Sequence, residues 1–201
     1  MAEAIRGRSA LATVLEDRVP RGGNGAGISV RECHPLTIVQ IAMLPGIRGD
    51  RRPVEQVLGA PLPDIQRSNV ASGLSVLWTG AEQWWAVGNL ERGPELLQAL
   101  EAAAAGAFAI LDLSQSRTVL RVSGKSARRV LAKGCGVDFH LRCFPAGMSV
   151  ATGLARLSAV IHAADPTSFD IYVYRSFGRE LLDWLIEASA EYGLSLEAPH
   201  P

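Results

Sequence analysis

Cysteine is scarce in this chain, and that scarcity excludes a whole class of architecture. Three cysteines are too few for a disulfide framework, and an odd number leaves at least one unpaired, as suits a reducing compartment. A surplus of either charge is missing too. Lys+Arg and Asp+Glu each number 20, so no global field is available to hold a nucleic acid or an anionic membrane. No apolar run reaches the length of a membrane span. Residues 1–14 lack the continuous apolar core and small-residue cleavage site of a signal peptide, so the expected address is the cytoplasm. What is present is a hydrophobic share of 48% over 201 residues, enough to bury a core in one bilobed domain or two small, closely packed ones. Partners are then to be recognised by shape and apolar contact.

The organising stretch lies in the middle. Two apolar strand patterns, 107–113 and 117–123, run into a short helix pattern over 124–133, and Asp112, Ser114, Gln115 and Ser116 supply the turn between the strands. The first strand closes a β-α-β-β-α-β series that begins near Leu36. It comprises a buried strand over 36–44, a helix over 51–58 stopped by Gly59 and Pro61, and a hairpin over 73–79 and 83–87. A helix over 94–104, stopped by Gly106, completes it. The second strand opens a similar series running to Tyr192, with a hairpin of 154–162 and 169–174 around Asp165 and Pro166. The expected fold class is α+β, two tandem split βαβ units packed together. The expected boundaries are a flexible arm over 1–27, a first unit over 28–113 and a second over 114–201.

Several motifs invite chemical readings and fail on context. Gly23, Gly25 and Gly27 suggest a phosphate-cradling loop, but Pro20 and Arg21 stand where a dinucleotide fingerprint needs a strand. Arg48, Arg51 and Arg52 form a basic edge that reads as solvated. Ser123-Gly124-Lys125-Ser126 resembles the end of a nucleotide-binding loop, yet Val119 occupies the position of its first glycine; a weak anion site or a plain turn remains. Cys135, His140 and Cys143 have irregular spacing and no fourth ligand for zinc. Among Ala155, Leu157, Ala159 and Ile161 on one strand face, His162 falls on the other, where a lone histidine reads as structural or exposed. No nucleophile and base stand in a recognisable arrangement, so no catalytic, cofactor-binding or metal residue is assigned.

Apolar residues in awkward places point to partner contact instead. Trp84 and Trp85 must face opposite sides of their strand, so one of them needs a second cover, and Trp85 is the candidate. Phe139 and Phe144 lie in an irregular segment that needs cover from the domain or from another chain. Trp184 falls among the acids Glu180, Asp183, Glu187 and Glu191 on a helix whose inward side carries Leu181, Leu182 and Leu185; its cover is either the arm or a partner.

Five runs together carry a resemblance: Leu77-Trp78-Thr79-Gly80 with Trp84; Leu120-Arg121-Val122-Ser123-Gly124; Asp138-Phe139-His140 with Phe144-Pro145-Ala146-Gly147; Tyr174-Arg175-Ser176-Phe177; and Ala190-Glu191-Tyr192-Gly193-Leu194. In order and spacing they resemble the gamma subunits of heterotetrameric sarcosine oxidase, over nearly the whole chain after the arm. The resemblance implies a noncatalytic subunit of a cytoplasmic flavoenzyme that oxidatively demethylates sarcosine to glycine. That enzyme makes hydrogen peroxide and, with tetrahydrofolate, methylenetetrahydrofolate. It implies alpha, beta and delta subunits as partners, with FAD, covalent FMN, NAD and folate in the two larger ones and zinc in the smallest, and no cofactor in this chain. It also implies an aminomethyltransferase-like fold, which keeps open the alternative of a free-standing folate-binding module or enzyme. Lys133-Gly134-Cys135 is similar to the cysteine motif of folate-dependent iron–sulfur maintenance proteins, but Gly136-Val137-Asp138 departs from it.

Overall fold

The computed structural model describes residues 9–12, 14, 26–47 and 49–198. A strand presents alternate side chains to two faces, so a strand that is apolar throughout must be covered on both. Two sheets, each sandwiched, meet that demand. After β1 (Ile28–Glu32), β2 (Leu36–Met43) leads into helix α1 (Arg52–Leu58). Then come β3 (Ser68–Ala71), β4 (Leu74–Gly80), β5 (Gln83–Asn89), helix α2 (Gly93–Ala104) and β6 (Phe108–Asp112). The strands of this first unit form a sheet in the order β3-β4-β5-β2-β6. The second series is β7 (Arg117–Ser123), α3 (Ala127–Gly134), β8 (Ser149–Leu154), β9 (Leu157–Asp165), β10 (Ser168–Tyr174), α4 (Gly178–Ala188) and β11 (Leu194–Leu196).

Three apolar layers follow from the alternation. Ile41, Val54, Leu58, Val76, Trp84, Leu96 and Leu100 fill the space between the first sheet and its helices. Val122, Val130, Leu131, Ile161, Phe169, Leu181 and Leu185 do the same for the second. The opposite faces meet each other: Ile38, Leu77, Trp85 and Val87 of the first sheet pack on Val119, Val160 and Tyr172 of the second. The fold is thus helix, sheet, sheet, helix, an α+β pair of split βαβ units.

The N-terminal expectations need correction. The second sheet runs β11-β1-β7-β10-β9-β8, so β1, placed by sequence in the first unit, lies between β7 and β11 of the other. Glycine permits the approach: a Cβ on Gly124, itself at φ +121°, would stand 2.5 Å from the Gly27 carbonyl oxygen. The arm is also not wholly outside the fold. Leu11 is 0% exposed within the second unit's outer core, and the Ser9 hydroxyl donates to the Glu32 carboxylate. One leucine in a polar segment is enough to anchor it; average composition hides that. The glycines at 23 and 25 lie outside the described residues, whereas the Gly27 amide donates to the Tyr192 carbonyl at 2.8 Å.

A turn was also hidden. The expected strand over 154–162 starts on the last residue of β8, and the chain reverses into β9 at Ala155 and Arg156, both left-handed at φ 51° and 68°. Two consecutive positive φ angles make a tight hairpin turn, which usually takes Asn or Gly; here alanine and arginine adopt it, and no turn residue marks the place.

Candidate functional site

The inter-sheet layer is apolar at its centre and polar at both ends, and its chemistry lies at those ends. At one end the Arg121 guanidinium on β7 donates to both Asp170 carboxylate oxygens on β10, at 2.6 and 2.8 Å. Asp170 is buried, with 7% side-chain exposure, against 32% for Arg121. Burial alone would raise the Asp170 carboxyl, but the two hydrogen bonds and the charge of Arg121 outweigh it and hold it below the ordinary carboxylate value. The same hydrogen bonds raise Arg121 further. Cys33 borders the pair, and burial, with the Asp170 charge, pushes its thiol up to about 11, so it stays protonated and inert at neutral pH. Burial, followed by the Asp170 charge, also raises the Tyr172 phenol well above its ordinary value.

His162 completes this end. Its Nε2 lies 3.0 Å from the Ser68 hydroxyl on β3, and its Nδ1 stands 3.7 Å from an Asp170 oxygen. Serine, histidine and aspartate in that order are the components of a nucleophilic triad. The geometry serves another purpose. The 3.7 Å gap is too long for the hydrogen bond that orients a catalytic imidazole, the Nδ1 atom is buried without a hydrogen-bond partner, and both Asp170 oxygens already accept from Arg121. Ser68 belongs to the first unit and His162 to the second, so the contact ties the units together. Around it, the Ser68 amide donates to the Gly147 carbonyl at 2.8 Å and the Ser149 hydroxyl to that of Trp78 at 2.9 Å.

At the other end Arg117, on the same face of β7 four residues before Arg121, has no carboxylate partner among the described residues. Its guanidinium carbon sits 4.0 Å from the Tyr174 ring centre and 5.2 Å from that of Trp85. A cavity of about 220 Å³ opens beside it, with Gln40, Thr79, Gln83 and Ser158 in its wall. The Thr79 hydroxyl is buried and without a hydrogen-bond partner.

With this geometry in place, comparison with known proteins assigns the family. The family model for the sarcosine oxidase gamma subunit matches residues 51–191. The sarcosine oxidase subunit gamma of Corynebacterium sp. (strain P-1) is 31% identical over 195 residues, 94% of each chain. This chain belongs to the sarcosine oxidase gamma subunit family. A chain of the heterotetrameric sarcosine oxidase from Corynebacterium sp. U-96 superposes with a TM-score of 0.82 at 28% identity, over 92% of this chain and 95% of that one. The glycine cleavage system aminomethyltransferase T from Bartonella henselae superposes at 0.62 and 14% identity, over 87% of this chain and 48% of that one. The latter likeness is one of fold.

In this gamma-subunit family member, three of the four residues offered as partner contacts are occupied inside the chain. Phe139 and Phe144, 3% and 2% exposed, meet edge to face at 5.4 Å and pack on Phe169. Arg128 fixes their irregular segment by donating to both their carbonyls, at 2.6 and 2.8 Å. Trp85, 6% exposed, is covered by the second sheet, edge to face with Tyr172 at 5.8 Å; the cover that its strand demanded is the other unit. Trp184 is different. Its half-buried ring lies on Gly134, where any β-carbon would collide with it, and it borders an open groove of about 670 Å³ beside Cys135, Arg156 and Glu180.

The remaining motifs are placed plainly. Arg51 pairs with Glu82 at 2.7 Å and Arg52 with Asp50 at 2.8 Å, while Arg48 lies outside the described residues. The Cys135 thiol meets the Thr152 hydroxyl at 3.7 Å, and His140 Nδ1 accepts the Arg142 amide at 3.2 Å. Among the described residues no group of His, Cys, Asp or Glu side chains is arranged to hold a metal. Sequence reading missed Ser68, Arg117, Arg121 and Asp170. A signal was present: charged residues at spacing two within apolar strands place Arg117 and Arg121 on the face shared with Val119, and Asp170 on that shared with Tyr172.

Proposed function

We propose that this chain is a noncatalytic gamma subunit of a heterotetrameric, cytoplasmic sarcosine oxidase. It supports assembly with alpha, beta and delta subunits that carry FAD, FMN, NAD, tetrahydrofolate and zinc. The observation that carries this reading is the likeness to a chain of heterotetrameric sarcosine oxidase over nearly the full length of both. The engagement of Asp170 by Arg121, which withholds the carboxylate from His162, supports the noncatalytic part. Trp184 is the residue we assign to a partner contact, because an aromatic ring beside an open groove suits an interface anchor.

Co-expression with the other three subunits tests the reading. The expected result is one four-component complex that oxidises sarcosine, while the chain purified alone is colourless and inactive. A fully active complex assembled without this chain, or flavin absorbance travelling with the isolated chain through gel filtration, overturns it. Trp184→Ala is expected to weaken assembly by about 2 kcal/mol; unchanged assembly affinity makes Trp184 a packing residue for Gly134 alone.

A further inference from the structure

We propose that the cavity at the Arg117 end of the inter-sheet layer binds a small monocarboxylate without an ammonium group, of the hydroxy- or oxo-acid class. The chain supplies its own template for the recognition. Arg121, on the same strand face, receives a carboxylate in two parallel hydrogen bonds from Asp170, the arrangement that a planar guanidinium fork favours. Arg117 has the same fork and no such carboxylate among the described residues. Its recorded hydrogen bond, to the neighbouring Ser116 carbonyl, is long at 3.4 Å.

Ring contacts and a polar wall make this end a binding site in waiting. The guanidinium carbon lies 4.0 Å from the Tyr174 ring centre and 5.2 Å from that of Trp85, contacts that reduce the ordering needed on binding. The cavity of about 220 Å³, set against about 30 Å³ for a water in the liquid, takes a molecule of a few heavy atoms. Its polar wall groups Gln40, Gln83, Thr79 and Ser158 are neutral donors and acceptors, suited to a hydroxyl or keto oxygen. Buried hydroxyls are normally paired, and the hydroxyl of Thr79, a residue that lines this cavity, is not. No acidic side chain is among the described residues lining the space, so an ammonium group would enter without a counter-charge. That separates a hydroxy acid from an amino acid of the same size.

The test uses glycolate titrated calorimetrically into the purified full-length chain, with glycine as the zwitterionic comparison. Saturable binding at one site per chain is expected, with glycine at least about tenfold weaker. Arg117→Met is expected to abolish binding, Arg117→Lys to weaken it at least about tenfold by losing the two-point contact, and Thr79→Val to weaken it while preserving the thermal midpoint. No saturable heat, equal binding of glycine, or unchanged binding in a folded Arg117→Met variant overturns the proposal. Should both Arg117 variants unfold, unchanged glycolate affinity in Thr79→Val overturns it and a weakened one sustains it. A carboxylate from a partner subunit is the competing source. Glycolate binding that persists in the assembled complex supports a small-molecule site, whereas binding lost on assembly, with Arg117→Met impairing assembly, overturns it in favour of the partner. Because binding is read on the isolated chain, it stands or falls separately from the proposed subunit role.

Discussion

Arg121 and Arg117 stand on one face of one strand, two turns of alternation apart, and the fold treats them oppositely. Arg121 meets a carboxylate from the neighbouring strand in a buried two-point bond; Arg117 meets two aromatic rings and an open cavity. The first end is closed by its own chain, through an ion pair and a Ser68–His162 contact that joins the units. The second is closed by cation–π contacts, and the guanidinium edge makes one long hydrogen bond, to the neighbouring Ser116 carbonyl. The difference shows that similar residues at equivalent register become a fastener or a receptor according to whether the adjacent strand offers a counter-charge. Position 170 offers it as aspartate; at the other end the facing residue on the same strand is Tyr174.

Breaking the closed end gives the largest effect. Asp170→Asn is expected to destabilise the isolated chain by about 3 kcal/mol, the low end for a buried pair because Arg121 keeps a solvent-exposed edge; an unfolding free energy from urea titration within about 0.5 kcal/mol of wild type contradicts the assignment of a fastener. Leu11→Ala sharpens the scale by probing an outer layer with no polar end. A loss of about 2–3 kcal/mol is expected, and no loss places the N-terminal segment outside the cooperative fold. Acid separates the two ends by a different route. The folded-state pKa of Asp170 lies below its ordinary 3.8, so its contribution is complete above the unfolded value and is lost as pH falls through the lower folded value. The stability gap between wild type and Asp170→Asn should therefore shrink below about pH 4; a gap constant with pH counts against the carboxylate. The smallest effect belongs to Arg117→Met, about 1 kcal/mol or less, the worth of partly exposed cation–π contacts, and a loss matching that of Asp170→Asn erases the distinction between the ends.

Much of this was legible in the sequence, and the limits have physical causes. Apart from β3, the first-unit elements and β7 were readable because they combine a strong apolar period with turn or stop residues at their ends. Strands β3 and β11 were not: four and three residues are too short to display a period. The Ala155–Arg156 turn carried no turn chemistry, so it read as part of β9 and β8 went unread. At the site, the two-sided burial of Trp84 and Trp85 was readable from alternation, but the cover for Trp85 depends on how the sheets face each other, which local pattern does not encode. Phe139 and Phe144 lacked a period and therefore looked like interface; their burial comes from Arg128 capping an irregular segment, a long-range contact with no local trace.

The placement of β1 redraws the relation between the two halves. Glu32 pairs with Leu120 across adjacent strands, and the Cys33 amide donates to the Val119 carbonyl at 2.9 Å. The polypeptide thus leaves the second sheet and rejoins it at nearly one point. Everything between, from β2 to β6, is an insertion hung on a single doorway, fastened further by the layer–layer contact and by the backbone hydrogen bonds of residues 66–68 to residues 147–149. Topologically the molecule is less a tandem repeat than one unit interrupted by another. The inserted half can close its own sheet as soon as it is made, whereas the host sheet cannot close until residues from both ends of the chain have met.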